Sequence, residues 1–262
     1  MTILDEIAEK TRERMDECKR KRSLKEIQAC AESLPKDTGY PFERALKKKG
    51  ISFICEVKKA SPSKGVIAAD FPYVQIAKEY EAVGADAISC LTEPFYFQGR
   101  DEYLREIADE VSIPILRKDF TIDPYMIYEA KMLGASAVLL ICAILSDEEL
   151  KEYLAISESL GLSALVEAHT EEEVERAIRN GSRIIGVNNR NLKNFEVDIT
   201  TSIRLRKMIP ENVIYVSESG VRNAAELEQL DQNGTDAVLI GEVLMRASDK
   251  REMLERLRAH CH

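Results

Sequence analysis

An α/β fold in which eight strand–helix units close into a (βα)8 barrel is predicted by three features of this 262-residue chain. Short apolar runs alternate with charged amphipathic stretches eight times beyond residue 50, and the stretches between them end repeatedly on the same glycine signal. No Gly-rich turn follows the first run, where an open doubly wound sheet would usually carry one. A TIM barrel of this kind fills about 250 residues. Residues 1–262 therefore read as a single domain, with residues 1–50 as an N-terminal helical extension ahead of the first barrel strand.

The extension comes first. Residues 3–27 read as one helix, with Leu4, Ile7, Met15 and Leu24 apolar on a charged background. Its Lys19-Arg20-Lys21-Arg22 run is surrounded by Glu9, Glu13, Asp16, Glu17 and Glu26, so it reads as a solvated helix face rather than a nucleic-acid patch. Strands are then expected at 53–57, 87–91, 113–116, 137–142, 163–166, 184–187, 213–216 and 237–240, each followed by room for a loop, a helix and a second loop. Helix starts are marked by Asp70, Asp101, Asp123-Pro124, Ser146-Asp147, Thr170 with Glu173, and Asn223 with Glu226, all N-cap or capping-box chemistry. Helix ends are marked by Gly84, Gly134, Gly161, Gly181 and Gly234, each leading three residues later into the next strand.

Composition bounds the function. A formal net charge of −9 disfavours a general nucleic-acid binder. The longest apolar run, residues 135–145, falls well short of the ~20 residues that span a bilayer. Neither a membrane partner nor a signal peptide is expected, since the first residues carry Asp5, Glu6 and Glu9, and the protein is expected in the cytoplasm. The six cysteines form no C-x-x-C pair, and Cys55, Cys90 and Cys142 sit in apolar runs, so all six, including Cys18, Cys30 and Cys261, read as reduced and structural. The imidazoles are His169, His260 and His262, with the last two at a terminus expected to fray, so neither a zinc site nor a His-based triad is expected.

Ionisable groups within parallel barrel strands are costly and gather at the C-terminal mouth, where activity resides. Here they recur strand after strand at the same end. Period-two alternation puts Glu56 and Lys58 on one face; Leu116, Lys118 and Phe120 share a face opposite Arg117 and Asp119. Glu167, Asn188 and Glu218 end the fifth, sixth and seventh strands. Convergence of Glu56, Lys58, Lys118, Glu167, Asn188 and Glu218 would make a network of alternating charge suited to general acid/base chemistry. Ser219-Gly220 and Gly241-Glu242, after the seventh and eighth strands, match the loops with which such barrels hold phosphate. The 61–65 loop after the first strand adds hydroxyls, the Lys64 cation and a glycine. A phosphorylated small-molecule substrate is the expected partner.

Seven segments resemble the indole-3-glycerol-phosphate synthase family over essentially the whole chain. They are the 56–63 stretch Glu-Val-Lys-Lys-Ala-Ser-Pro-Ser, Leu91-Thr92-Glu93 with Phe97 and Gly99, Pro114 through Phe120, Leu165-Val166-Glu167, Gly186 through Leu192, Ser217 through Gly220, and Leu239 through Glu242. The resemblance implies cyclisation of 1-(2-carboxyphenylamino)-1-deoxyribulose 5-phosphate with loss of carbon dioxide and water, and no cofactor or metal. It implies Lys118 as general acid, Glu167 as base or stabiliser of the cationic intermediate, Lys58 in the dehydration, Glu56 and Asn188 as orienting groups, and Glu218 closing the network. It also implies Ser61, Ser219, Gly220, Gly241 and Glu242 around the phosphate, with Phe97, Phe120 and Arg190 on the substrate. Ala60 stands where some members carry a phosphate-gripping lysine, a duty left to Lys64 or backbone. Some members are fused to an isomerase; this chain ends soon after its eighth unit and is expected to be monofunctional. The rival expectations are a phosphosugar isomerase or aldolase on the same scaffold, or a non-catalytic phosphate-binding barrel.

Overall fold

The computed structural model describes residues 3–191 and 194–259. The expectations for Leu192, His260, Cys261 and His262 lie outside the described residues. Eight parallel strands close on themselves in sequence order: β1 (Ser52–Val57), β2 (Ala87–Leu91), β3 (Ile115–Lys118), β4 (Ala137–Ile141), β5 (Ser163–Ala168), β6 (Ile184–Asn188), β7 (Ile214–Glu218) and β8 (Ala237–Ile240), with β8 pairing back onto β1. The predicted (βα)8 barrel is the observed fold. The third strand begins two residues later than expected, because Ile113 and Pro114 precede the ladder, and it takes in Arg117 and Lys118. The fourth ends at Ile141, where Cys142–Ile144 tightens into a 3-10 turn. β5, β6 and β7 run past their apolar cores to include Glu167, Asn188 and Glu218, since ladder pairing continues through these polar residues.

The extension differs from a single helix. It folds as α1 (Ile3–Lys21) and α2 (Leu24–Glu32), broken where Ser23 turns extended and caps the second helix. Ser23 accepts the Glu26 N–H while the Glu26 carboxylate accepts the Ser23 N–H, so the reciprocal cap outweighs helix continuation. A third helix, α3 (Pro41–Leu46), crosses the strand starts, where Glu43 accepts from Ser163 and Arg183. The basic run is only half solvated: Lys19 pairs with Asp123, and Arg22 reaches Cys30 Sγ and Met132 Sδ, while Arg20 and Lys21 are exposed.

Around the barrel lie α4 (Tyr73–Ala82), α5 (Asp101–Ala108), α6 (Pro124–Met132), α7 (Asp147–Ser159), α8 (Glu171–Arg179), α9 (Thr200–Leu205), α10 (Ala224–Gln232), α11 (Glu242–Arg246) and α12 (Lys250–Arg258). Asp123, Ser146, Thr170 and Asn223 cap their helices as expected. Asp70 does not, since α4 starts at Tyr73 with no side-chain cap, and Asp101 lies inside the first turn of α5, where its carboxylate is taken by Arg117. The five helix-ending glycines all have positive φ, between 69° and 87°, which only glycine adopts without strain.

Alternation splits the core in two. Ile54, Leu116, Leu139, Leu165, Val216 and Leu239 fill the barrel interior with Phe42 and Leu46 of α3 and Leu4 and Ile7 of α1, whereas Phe53, Ile88, Leu140, Val166, Tyr215 and Val238 pack outward against the helices. Arg117 and Asp119 also face outward, as alternation predicts. Arg117 is 1% exposed and binds Asp101, Glu129, Thr92 Oγ1 and the Met126 carbonyl. Asp119 accepts two bonds from Arg14 of α1, at 2.9 and 3.0 Å, and one from Thr92. Burial opposes the Asp119 charge, but Arg14 and Arg117 outweigh it and hold the carboxyl below its usual range. Removing one member of such a network leaves buried charge uncompensated, at a cost of about 3–5 kcal/mol. Asp119→Ala should lower stability by that order in urea unfolding, with hydrogen exchange in α1 rising first; an unchanged midpoint would show that α1 is held by its apolar face alone.

Candidate active site

The strand ends converge on one cavity of about 780 Å³ at the C-terminal mouth. Glu56, Lys58, Lys118, Glu167, Asn188 and Glu218 all line it, as do Ser61, Phe97, Phe120, Arg190, Ser219, Gly220, Gly241, Glu242 and Lys64. The mouth is thus built from all eight units and the extension, which contributes Ile3, Leu4 and Ile7 to the same wall. These α1 residues were not anticipated as cavity lining; their apolar spacing showed a buried face without showing what it covers.

Lys118 is the centre of the charge network. Its ammonium lies 3.1 Å from Glu167 and 3.6 Å from Glu218. Glu167 also accepts from Asn188 Nδ2 at 3.2 Å, and Asn188 Oδ1 accepts the Arg190 N–H at 3.1 Å. Lys58 pairs with Glu56 beside it. Burial works against the Lys118 charge, but the Glu167, Glu218 and Glu56 carboxylates outweigh it and raise its proton affinity well above that of an ordinary lysine. For Glu167 burial is again opposed, here by Lys118, His169 and Asn188, and the carboxyl is held far below its usual range. Glu218 goes the other way. Burial and the neighbouring Glu167 and Glu56 carboxylates push it up to about 8 despite Lys118, and its Oε1 has no hydrogen-bond partner among the described residues. Room for that carboxyl exists because residue 186 on the neighbouring strand is glycine; a Cβ there would strike Glu218 Oε1 and come within 3.0 Å of Leu165 Cδ1.

Across the mouth the loops supply backbone and cations. Ser219 and Gly220 are both left-handed, at φ 63° and 105°, and a Cβ on Gly220 would sit 2.9 Å from Val197 Cγ1. Consecutive backbone N–H groups in such a turn form an anion-binding concavity. Gly241 precedes the short helix α11, whose first residue Glu242 lies 3.8 Å from Lys64 and 3.1 Å from Arg246. Arg190 reaches the Ser63 hydroxyl at 3.5 Å and the Phe195 carbonyl at 3.3 Å. Phe97 and Phe120 form an aromatic wall with ring centroids 6.1 Å apart, and the Phe97 loop is pinned by Glu93, which accepts the N–H groups of Phe95, Tyr96 and Phe97. Glu93 stood within a recognised motif, but its role depends on a loop shape that strand alternation does not reveal.

A family model described as indole-3-glycerol phosphate synthase matches residues 4–257. The chain belongs to the indole-3-glycerol phosphate synthase family. Its members are carboxy-lyases of tryptophan biosynthesis. The indole-3-glycerol phosphate synthase of Ruminiclostridium cellulolyticum is 56% identical over 256 residues, covering 98% of each chain. That of Lacticaseibacillus casei is 51% identical over 252 residues, covering 96% of this chain and 97% of its own. Among solved structures, 3-hexulose-6-phosphate synthase from Salmonella typhimurium superposes with a TM-score of 0.66 at 12% identity, covering 80% of this chain and 98% of that one, a likeness of fold alone. Among the described residues no helix is long and apolar enough to cross a membrane, and no group of three or more His, Cys, Asp or Glu is placed to hold a metal.

The uncompensated Glu218 carboxyl has a measurable consequence. Its proton is held more tightly folded than unfolded, about 8 against an ordinary 4.5, so the stability this confers is full below pH 4.5 and is lost as pH rises through 8. Glu218→Gln cannot titrate, so its stability relative to the parent should grow across that window and level off above it in urea titrations at stepped pH. A constant difference from pH 4 to 9 would show that folding leaves the proton affinity of Glu218 unchanged.

Proposed function

We propose that the mouth cavity is where the family reaction takes place, the ring closure of 1-(2-carboxyphenylamino)-1-deoxyribulose 5-phosphate with loss of carbon dioxide and water to give indole-3-glycerol phosphate. The observation that carries the assignment is the Lys118–Glu167 pair at 3.1 Å, an acid and a base held together in a largely buried pocket beside an aromatic wall. Lys118 keeps its proton at neutral pH and presents it to the substrate ketone oxygen as the ring carbon attacks. Glu167, ionised, faces the cation formed on ring closure; loss of carbon dioxide from the attacking ring carbon returns its electron pair to the ring and restores aromaticity, and Glu167 then takes up the C–H proton lost as the hydroxyl departs as water. Lys58, paired with Glu56, serves the dehydration, Asn188 orients Glu167, and Glu218 closes the network. Decarboxylation and dehydration need no electron acceptor, so no cofactor is invoked.

The left-handed Ser219-Gly220 turn, Gly241 and Glu242 through their backbone, and Ser61 are assigned to the phosphate, with Phe97 and Phe120 against the aromatic ring and Arg190 toward an anionic group. Lys64, drawn toward Glu242, fits the cationic duty left open by Ala60. An aldolase-type role for Lys118 is disfavoured, because a Schiff-base amine must shed its proton and the three carboxylates hold that proton in place. Residues 1–262 are read as one catalytic unit, with residues 1–50 as its N-terminal extension and the cytoplasm as its location.

Indole fluorescence tests the assignment cleanly, because the chain contains no tryptophan. Lys118→Ala and Glu167→Gln should each cut product formation by about 10²–10⁴-fold, the scale of lost general acid–base catalysis. Circular dichroism should remain that of the parent; full turnover in either variant would refute the acid and base roles of this pair.

A further inference from the structure

A half-buried imidazole stands behind Glu167. His169 directly follows β5, does not line the cavity, and has a side chain 15% exposed. Its Nε2 lies 3.3 Å from Glu167 Oε1, and its Nδ1 lies 3.3 Å from Glu173 Oε2 on α8. The same Glu173 oxygen accepts the His169 backbone N–H at 2.6 Å, which fixes the ring's anchor. A neutral imidazole carries one N–H, so with a carboxylate oxygen at each nitrogen one contact would set lone pair against lone pair. The doubly protonated ring satisfies both. The Nε2 contact is ionic rather than a well-aligned hydrogen bond, and Nε2 has no other partner among the described residues.

The groups facing the ring come from several elements. Glu167 approaches from β5 and Glu173 from α8; the Cys142 thiol, on the turn after β4, donates to the Glu173 carbonyl. Arg176 of α8 is occupied by Asp147 and by the Cys142 and Leu145 carbonyls, so it does not compete for Glu173. Lys118 meets the far side of Glu167, and Glu218 lies beyond Lys118. Burial acts against the imidazolium, but Glu167 and Glu173 outweigh it and push its pKa up to about 10.

We propose that His169 is a positioning residue for the family reaction: its imidazolium, anchored on Glu173, holds the Glu167 carboxylate ionised and turned toward Lys118 and Asn188. The proposal rests on the reading of Glu167 as a catalytic carboxylate. Glu167 would thereby sit between two cations, one on the substrate side and one behind it. A purely structural histidine would instead act on stability and leave the protonation of Glu167 unchanged.

With only three histidines in the chain, the imidazole resonances of the full-length protein can be followed by NMR across pH, with His169 identified by its loss in His169→Gln. The expected result is a His169 ring that stays cationic until about pH 10 and titrates lower in Glu173→Gln. In His169→Gln, kcat should fall about tenfold with KM little changed, and the acid limb of the kcat profile should move up by about one pH unit, as a carboxylate that loses an adjacent cation binds its proton more tightly. A ring that titrates near 6.5, or a His169→Gln variant with parental kcat and acid limb, would overturn the proposal. Full turnover in Glu167→Gln would instead overturn the role of Glu167 on which it rests, a result that the imidazole titration cannot mimic.

Discussion

The Lys118 ammonium, facing buried carboxylates at the barrel mouth, is the interaction on which the rest of the site depends. At 3.1 Å and an effective dielectric of about 20, its attraction to Glu167 is on the order of 5 kcal/mol, comparable to the several kcal/mol per ion that desolvation costs. The pair therefore adds little net stability. What it does is fix protonation states: one lysine that holds its proton, one glutamate that has lost it, and a second glutamate, Glu218, left with more burial than compensation. Groups whose proton affinities are pushed apart in this way are suited to acid and base work at one pH.

Stability comes from elsewhere in the molecule. Ring closure of the sheet leaves no free edge, and alternate residues of every strand feed an interior core and an outer one. The Arg117 and Asp119 network lies on the opposite face of β3 from Lys118. One strand thus carries both a structural ion network, tied through Arg14 to the extension, and the cavity-facing ammonium, with alternation keeping the two apart. The extension belongs to the same arrangement: α1 is held by Arg14 and closes one wall of the cavity with Ile3, Leu4 and Ile7.

The overall acidity of the chain does not describe its mouth. Lys58, Lys64, Lys118, Arg190 and Arg246 all line the cavity, set among carboxylates that hold most of them in place. An anion entering there would meet cations already paired with carboxylates, so it could redistribute existing pairs rather than bury new unpaired charge.

Strand positions, helix caps and helix-ending glycines are set by neighbours a few residues apart, and so the barrel could be read from alternation and spacing. The polar strand ends Glu56, Lys118, Glu167, Asn188 and Glu218 were legible for the same reason, because period two and a common strand direction place them at one end. The break at Ser23 was local as well, a capping box overlooked inside a charged helix. His169 lies just past the end of the strand that carries Glu167, beyond the reach of alternation, and its meaning depends on Glu173, which arrives from the next helix. Which carboxylate keeps its proton, which cation faces it, and that α1 lines the cavity were decided by tertiary structure alone: proton affinity depends on burial and on charges within a few ångströms, and in a closed barrel those neighbours come from strands far apart in the chain.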